Sequence, residues 1–149
     1  MILKKGNLYT AENYATYHHI GFTANSVVMD DGCLVMGGGN AKVVRDTFGG
    51  IDTRLAEQVK TFTATGEDFL LIFDNETKIF ALQTKRHWRD PSPLDLVECS
   101  LAMLDVEATL NKDQLFAVPM PAVGLGGVSR ETILPMVEYL PDNIHIWEL

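Results

Sequence analysis

The chain has only two cysteines, Cys33 and Cys99. They form neither a CxxC pair nor the dense set that staples small secreted domains, which fits a reducing compartment. Both are expected to be ordinary core thiols. Basic charge is scarce as well: 12 Lys plus Arg stand against 20 Asp plus Glu, a formal net charge of −8. Non-specific nucleic-acid affinity comes from Lys and Arg neutralising phosphates, so this balance argues against it and leaves room only for a local basic patch. Apolar runs such as Phe69–Phe73 fall far short of the roughly 18 residues that a membrane span needs. Met1–Gly6 carries no signal-peptide apolar region. The expectation is a cytoplasmic protein with no membrane partner.

Several chemistries are missing too. Gly37-Gly38-Gly39-Asn40-Ala41-Lys42 lacks the third glycine of the dinucleotide fingerprint, and no glycine is followed by Lys-Ser or Lys-Thr as a P-loop requires. There is no GxSxG elbow. His18, His19, His87 and His145 lie at no spacing typical of zinc ligands, so no metal is expected.

What remains is a globular chain of 149 residues with 46% hydrophobic and 21% charged residues. That length suits one domain over residues 1–149, able to bury roughly 70% of the surface its unfolded chain exposes. Ile2-Leu3 opens a short strand, and His19–Ala24 reads as a buried one. Ala41, Val44 and Phe48 recur at helical spacing until Gly49-Gly50 stops them, and Ile51, Leu55, Val59 and Phe62 line a second helix, from Asp52 to about Thr63. Phe69–Phe73 and Ile79–Leu82 form a hairpin across Asp74–Lys78. Ser92-Pro93-Leu94-Asp95 has the chemistry of a helix start, with Ser92 as N-cap and Pro93 as first helical residue, and Leu94, Val97, Leu101 and Leu104 as the core face. Leu115–Val118 is a strand closed by Pro119-Met120-Pro121. Ser129 caps a last helix whose buried face is Ile133, Met136, Val137 and Leu140, and Ile144–Trp147 is a final strand. Alternating strands and helices with one inserted hairpin predict an α/β fold, a three-layer α/β/α sandwich around a mixed sheet.

Two glycine clusters, Gly37–Gly39 and Gly124–Gly127, each follow a strand and precede a helix. Backbone without Cβ lets a ligand approach, and free N–H groups at a helix start attract anions, so together they suggest an anion cradle at the strand ends. A third cluster, Thr84-Lys85-Arg86-His87-Trp88-Arg89-Asp90, follows a strand end. It reads either as a solvated charged loop or as functional. In the second reading, a lysine desolvated beside the cradle has its pKa lowered and supplies a nucleophilic amine, Arg86, His87 and Arg89 hold phosphates, and Trp88 stacks on a base.

Phe22-Thr23-Ala24-Asn25-Ser26, Val35-Met36-Gly37-Gly38-Gly39-Asn40-Ala41-Lys42 and Phe48-Gly49-Gly50 resemble the ribose-binding loop and following helix of the macro domain family, the ADP-ribose-binding modules. Val118–Val128 is similar to the family's diphosphate-binding loop. Leu82-Gln83-Thr84-Lys85-Arg86-His87-Trp88-Arg89-Asp90-Pro91-Ser92 resembles one branch, that of terminal ADP-ribose protein glycohydrolase and the antitoxin macro domains that remove ADP-ribose from DNA.

The resemblance implies an ADP-ribosyl hydrolase in which Lys85 attacks the anomeric carbon of the distal ribose and forms a covalent intermediate. It places Asn25 and Ser26 against that ribose, with Met36, Gly37, Gly38, Gly39, Ala41 and Thr84 around it. Gly124, Leu125, Gly126, Gly127 and Val128 supply backbone donors to the diphosphate. Asn7 and Leu8 stand where the family has a carboxylate and its neighbour at the adenine; a neutral Asn should hold the adenine amino group less strongly. The glycohydrolase's acidic residue in the second loop is replaced by Gly126 or Gly127, a pattern nearer the DNA-directed antitoxins. The implied partner is ADP-ribose or an ADP-ribosylated macromolecule, DNA ahead of protein, met by a monomer without cofactor. Phosphatase action on ADP-ribose 1″-phosphate and non-catalytic reading of ADP-ribose are the alternatives.

Overall fold

The computed structural model describes residues 1–149. A six-stranded sheet is built from β1 (Ile2–Lys5), β2 (His19–Ala24), β3 (Leu71–Phe73), β4 (Ile79–Gln83), β5 (Phe116–Pro119) and β6 (Ile144–Glu148) in the order β1-β6-β5-β2-β4-β3. Every neighbouring pair is parallel except β3–β4, the hairpin, so the sheet is mixed.

The period-two alternation of the strands decides which layer each side chain joins. Ile20, Phe22, Ile79, Ala81 and Ala117 face one core with α1 (Ala11–Thr16), α2 (Gly39–Thr47) and α3 (Ile51–Thr63), where Val44, Ile51, Leu55 and Val59 are fully buried. Phe80, Leu82, Phe116, Val118, Ile144 and Ile146 face the other, under α4 (Leu94–Leu110) and α5 (Arg130–Val137). This is the three-layer sandwich. At the centre of β2, Gly21 pairs with Phe80 of β4, and a Cβ there would lie 2.4 Å from the Phe80 ring. The absence of a side chain at Gly21 is what lets that ring pack.

Several local expectations change. Pro93, not Ser92, is the N-cap of α4, with no side-chain capping bond. The Ser92 hydroxyl is instead buried without a partner behind Gly126. With the helix starting at Leu94, that residue points to solvent and Leu96 takes its place in the core beside Val97, Leu101 and Leu104. Neither cysteine is a core thiol: Cys33 is half-buried beside the Thr53 hydroxyl, and Cys99 is exposed on α4. Met136 is only half-buried on α5, and Leu140 is buried just beyond the helix end. Ser129 does cap α5, accepting from the Thr132 N–H. No helix is long and apolar enough to cross a membrane.

Candidate functional site

The parallel strands all release the chain at one edge of the sheet: β1 into Gly6, β2 into Asn25, β4 into Thr84 and Lys85, β5 into Met120. Ligands of open α/β sheets bind at such an edge. A cleft of about 830 Å³ lies there, the size of a pocket for a nucleotide-like molecule.

One wall is the loop from Asn25 to Gly38 and the start of α2. Gly39 opens the helix at φ +58°, a left-handed conformation that favours glycine. The N–H groups of Gly39, Asn40 and Ala41 donate to no protein acceptor, as at any helix start, and point the positive end of the dipole outward. Asn40 pins this wall to β2: its Oδ1 accepts from the Thr23 N–H at 2.8 Å, and its Nδ2 donates to the Thr23 hydroxyl at 3.2 Å. Asn25 spends its amide inside the loop, Nδ2 donating to Val35 O and Oδ1 accepting from Val27 N–H.

The opposite wall is Pro119–Val128. Gly124, at φ +78°, begins a single 3-10 turn through Gly126, and the N–H groups of Gly124, Leu125 and Gly126 have no protein acceptor. Two sets of free donors therefore flank the cleft, an arrangement suited to an anion. Leu125 reaches across, with a Cβ on Gly39 falling 3.4 Å from its Cδ1. Gly126 is backed by Pro91-Ser92: Ser92 N–H donates to Gly126 O at 2.9 Å, and a Cβ at Gly126 would lie 2.6 Å from the Ser92 hydroxyl. A side chain at 126 has no room unless Ser92 moves.

Lys85 stands between the walls. Its backbone and that of Thr84 both donate to Ala24 O, extending the β2–β4 ladder. The fully buried Gln83 donates to Lys85 O at 3.2 Å and accepts from Leu70 N–H, fixing the lysine's main chain. The Lys85 Nζ donates to Leu125 O at 2.8 Å and to Trp88 O at 3.2 Å. Lys85 is half-buried with its amine open to solvent, so the desolvated lysine expected from the sequence is not what the fold provides. It is the only charged side chain among the residues lining the cleft, and none of them carries a carboxylate side chain. In a chain of net charge −8, that exclusion leaves the cleft favourable for a phosphate-bearing ligand.

The remaining basic residues behave differently. Arg86 turns away from the cleft into a two-pronged ion pair with Asp68, its Nε 3.1 Å and Nη2 3.0 Å from the carboxylate, so it is not free to hold a phosphate. His87 Nδ1 accepts the Arg89 N–H. Arg89 makes no ion pair and lies 4.7 Å over the Trp88 ring.

Of the residues proposed from the sequence, Asn7, Leu8, Asn25, Met36, Gly37, Gly38, Gly39, Ala41, Thr84, Lys85, Leu125 and Gly126 line the cleft together. Ser26, Gly124, Gly127 and Val128 do not; the Ser26 hydroxyl donates to Arg86 O, away from it. Residues that the sequence did not mark complete the lining. Tyr9 donates its hydroxyl to Gly21 O at 2.9 Å, and burial drives the phenol pKa well above its usual value. Asn40, Val123 and Trp147 also line the cleft. The Trp147 indole donates to the Tyr17 hydroxyl, which bonds His145 in turn. The Asn7 side chain accepts the Tyr9 N–H at 3.0 Å, which leaves one of its oxygen lone pairs for a ligand. No three metal-ligating side chains converge anywhere in the chain.

A mixed six-stranded sheet between two helical layers, with a cleft walled by two glycine loops, defines the macro domain fold. Among solved structures it is similar to the macrodomain of Mycobacterium tuberculosis DarG, with a TM-score of 0.70 and 22% identity over 99% of this chain and 97% of that one. The macrodomain of Thermus aquaticus DarG gives 0.70 and 22%, over 98% and 95%. Thermosipho africanus DarTG in complex with ADP-ribose gives 0.75 and 20%, over 99% of this chain and 41% of that chain. No protein-family model matches the sequence. Comparison with curated proteins gives no match either.

Proposed function

We propose that the cleft binds ADP-ribose and that Lys85 removes ADP-ribosyl groups from a macromolecule, with DNA favoured over protein. The observation that carries this reading is Lys85 itself, a lone cation at the end of β4 between two sets of free N–H donors. The diphosphate lies between the Gly39–Ala41 and Leu125–Gly126 donors, with the adenine toward Asn7 and Leu8 and the distal ribose toward Lys85. The ADP-ribose bound in the similar DarTG structure supports that ligand. The preference for DNA rests on the branch resemblance and on the glycine at 126, where any side chain would force Ser92 to move.

The chemistry is a double displacement. The Lys85 ammonium, open to solvent, first gives a proton to water; its Nζ then bonds to the anomeric carbon as the bond from that carbon to the leaving group breaks. With no carboxylate side chain lining the cleft, the proton that the leaving group gains comes from the newly substituted lysine nitrogen. Water then breaks the nitrogen–carbon bond, giving ADP-ribose and free lysine. Leu125 O and Trp88 O hold two of the lysine's N–H groups, and in the neutral amine the lone pair is left for the sugar.

Acid quenching during turnover of an ADP-ribosylated oligonucleotide, followed by intact-mass measurement, should detect protein heavier by one ADP-ribosyl group, with the modification on Lys85. Turnover without an adduct on Lys85 in rapid-quench samples would overturn the mechanism. One observation favours a second reading, non-catalytic binding: the same two carbonyls also suit an ammonium that stays protonated. Calorimetric binding of ADP-ribose with no release from any conjugate would establish that reading. Phosphate release from ADP-ribose 1″-phosphate alone would indicate the phosphatase instead.

A further inference from the structure

Trp88 is the one large aromatic side chain at the cleft that is substantially exposed, 45% of its surface open to solvent. A tryptophan left this open loses the burial that normally holds one in place, and the loop around it is built to present it. Asp90 N–H donates to His87 O, closing a turn whose corner is Trp88 and Arg89, and His87 Nδ1 accepts the Arg89 N–H inside the same turn. Lys85 Nζ donates to Trp88 O, so the turn is tied directly to the amine. The His87 ring is stacked on the indole at 5.3 Å, and the Arg89 guanidinium lies over it.

From this geometry we infer that Trp88 is the specificity residue for the leaving group, a stacking platform for an unpaired nucleobase next to the anomeric carbon, with Arg89 taking the neighbouring backbone phosphate. The inference rests on the proposed ADP-ribosyl hydrolase reading. Arg89 has no carboxylate partner, so only its contact with the exposed ring restrains it. A base–aromatic stack is stronger than an exposed cation–π contact, so an incoming base displaces the guanidinium, which then moves to a phosphate. The neighbouring Arg86 stays with Asp68 and adds nothing to this. A duplex cannot offer a base face to the ring, so the substrate is single-stranded or has its base flipped out. A peptide carrying ADP-ribose on a carboxylate brings no nucleobase to the indole.

The test separates platform from catalysis by measuring binding on its own. The probe is a fluorescent five-nucleotide single strand whose central base carries ADP-ribose through a non-hydrolysable linkage. It is titrated into the full chain and followed by anisotropy, beside free ADP-ribose measured by calorimetry. Trp88→Ala should weaken the oligonucleotide about tenfold more than it weakens free ADP-ribose, with Trp88→Phe restoring most of that difference. Arg89→Ala should weaken the oligonucleotide severalfold and reduce the salt dependence of binding. Equal oligonucleotide affinity in wild type and Trp88→Ala would overturn the platform, whatever the hydrolysis assays give. Loss of affinity for an ADP-ribosylated peptide in Trp88→Ala, with the oligonucleotide unaffected, would overturn it in favour of a protein partner. Retention of the tenfold effect by a chain that hydrolyses nothing would uphold the platform and remove the hydrolase.

Discussion

Gly21→Ala is the sharpest structural test of how β2 and β4 hold the cleft. The added Cβ would lie 2.4, 2.5 and 2.9 Å from three atoms of the Phe80 ring, where carbon atoms settle at about 3.5–4.0 Å. The ring would have to move by more than about 1 Å. It cannot do so freely, because it is fully buried with the rings of Phe73 and Phe116 at 5.4 and 6.3 Å. Alanine stiffens the unfolded chain and so returns up to about 1 kcal/mol, while overpacking a core costs about 1–3 kcal/mol or more. The net expectation is a loss of about 2 kcal/mol, which in a domain of this size lowers Tm by roughly 4–8 °C. Thermal unfolding followed by circular dichroism gives the number. In a Phe80→Leu background the obstructing ring atoms are gone, so the same glycine change should cost less than about 1 kcal/mol, a coupling that a double-mutant cycle reads directly. A Tm unchanged in Gly21→Ala, or a cost equal in both backgrounds, would refute the reasoning.

Other perturbations follow from the same contacts. Ser92→Ala removes a buried hydroxyl that has no partner, so denaturant unfolding should show stability unchanged or raised by up to about 1 kcal/mol; a clear loss would mean the hydroxyl has an unseen partner. Arg54→Ala strips Asp74, whose side chain is wholly inaccessible, of the guanidinium bonds at 2.8 and 3.0 Å, and should cost on the order of 3 kcal/mol at neutral pH. Burial pushes the Asp74 pKa up, but the bonds from Arg54 and Thr77 outweigh it and hold the carboxyl below its usual value. Its contribution is therefore present above about pH 4 and lost as pH falls through the lower folded value. His145 is held below its usual pKa by burial, then by Lys4 and the chain's amino terminus. The folded state thus takes up its proton less readily, and stability should begin to fall as pH drops below about 6.5; His145→Gln should flatten that first part of the pH–stability curve. Asn40→Ala unpins α2 from Thr23 and should weaken ADP-ribose severalfold by calorimetry; because it leaves the part-buried Thr23 N–H without its acceptor, Tm should also fall by a few degrees.

Much of this architecture can be read from hydrophobic period, because the strands and the long helices each bury one regular face. What escapes that reading has no periodic signal. Helix α1 buries none of its six residues, so nothing in its apolar pattern distinguishes it from loop. Ser92 has the composition of a cap, but packing against Gly126 takes its side chain, and the helix starts one residue late with Leu94 outside. Cys99 is exposed on a helix that is apolar on much of its surface, where composition favoured burial. In the site, Lys85 and the glycine loops were visible because they sit in distinctive local strings. Partnerships between distant segments were not, including Arg86 with Asp68, Asn40 with Thr23 and Tyr9 with Gly21. They depend on which strands become neighbours, and spacing along the chain does not encode that.

The role of the Lys85 amine is decided by one comparison. Wild type and Lys85→Ala are incubated with single-stranded DNA carrying an ADP-ribosylated base, the oligonucleotide is followed by gel mobility, and ADP-ribose affinity is measured for both proteins. Wild type should restore the unmodified strand and Lys85→Ala should not, while their affinities agree within a few fold. Restoration by Lys85→Ala at a comparable rate would contradict that role.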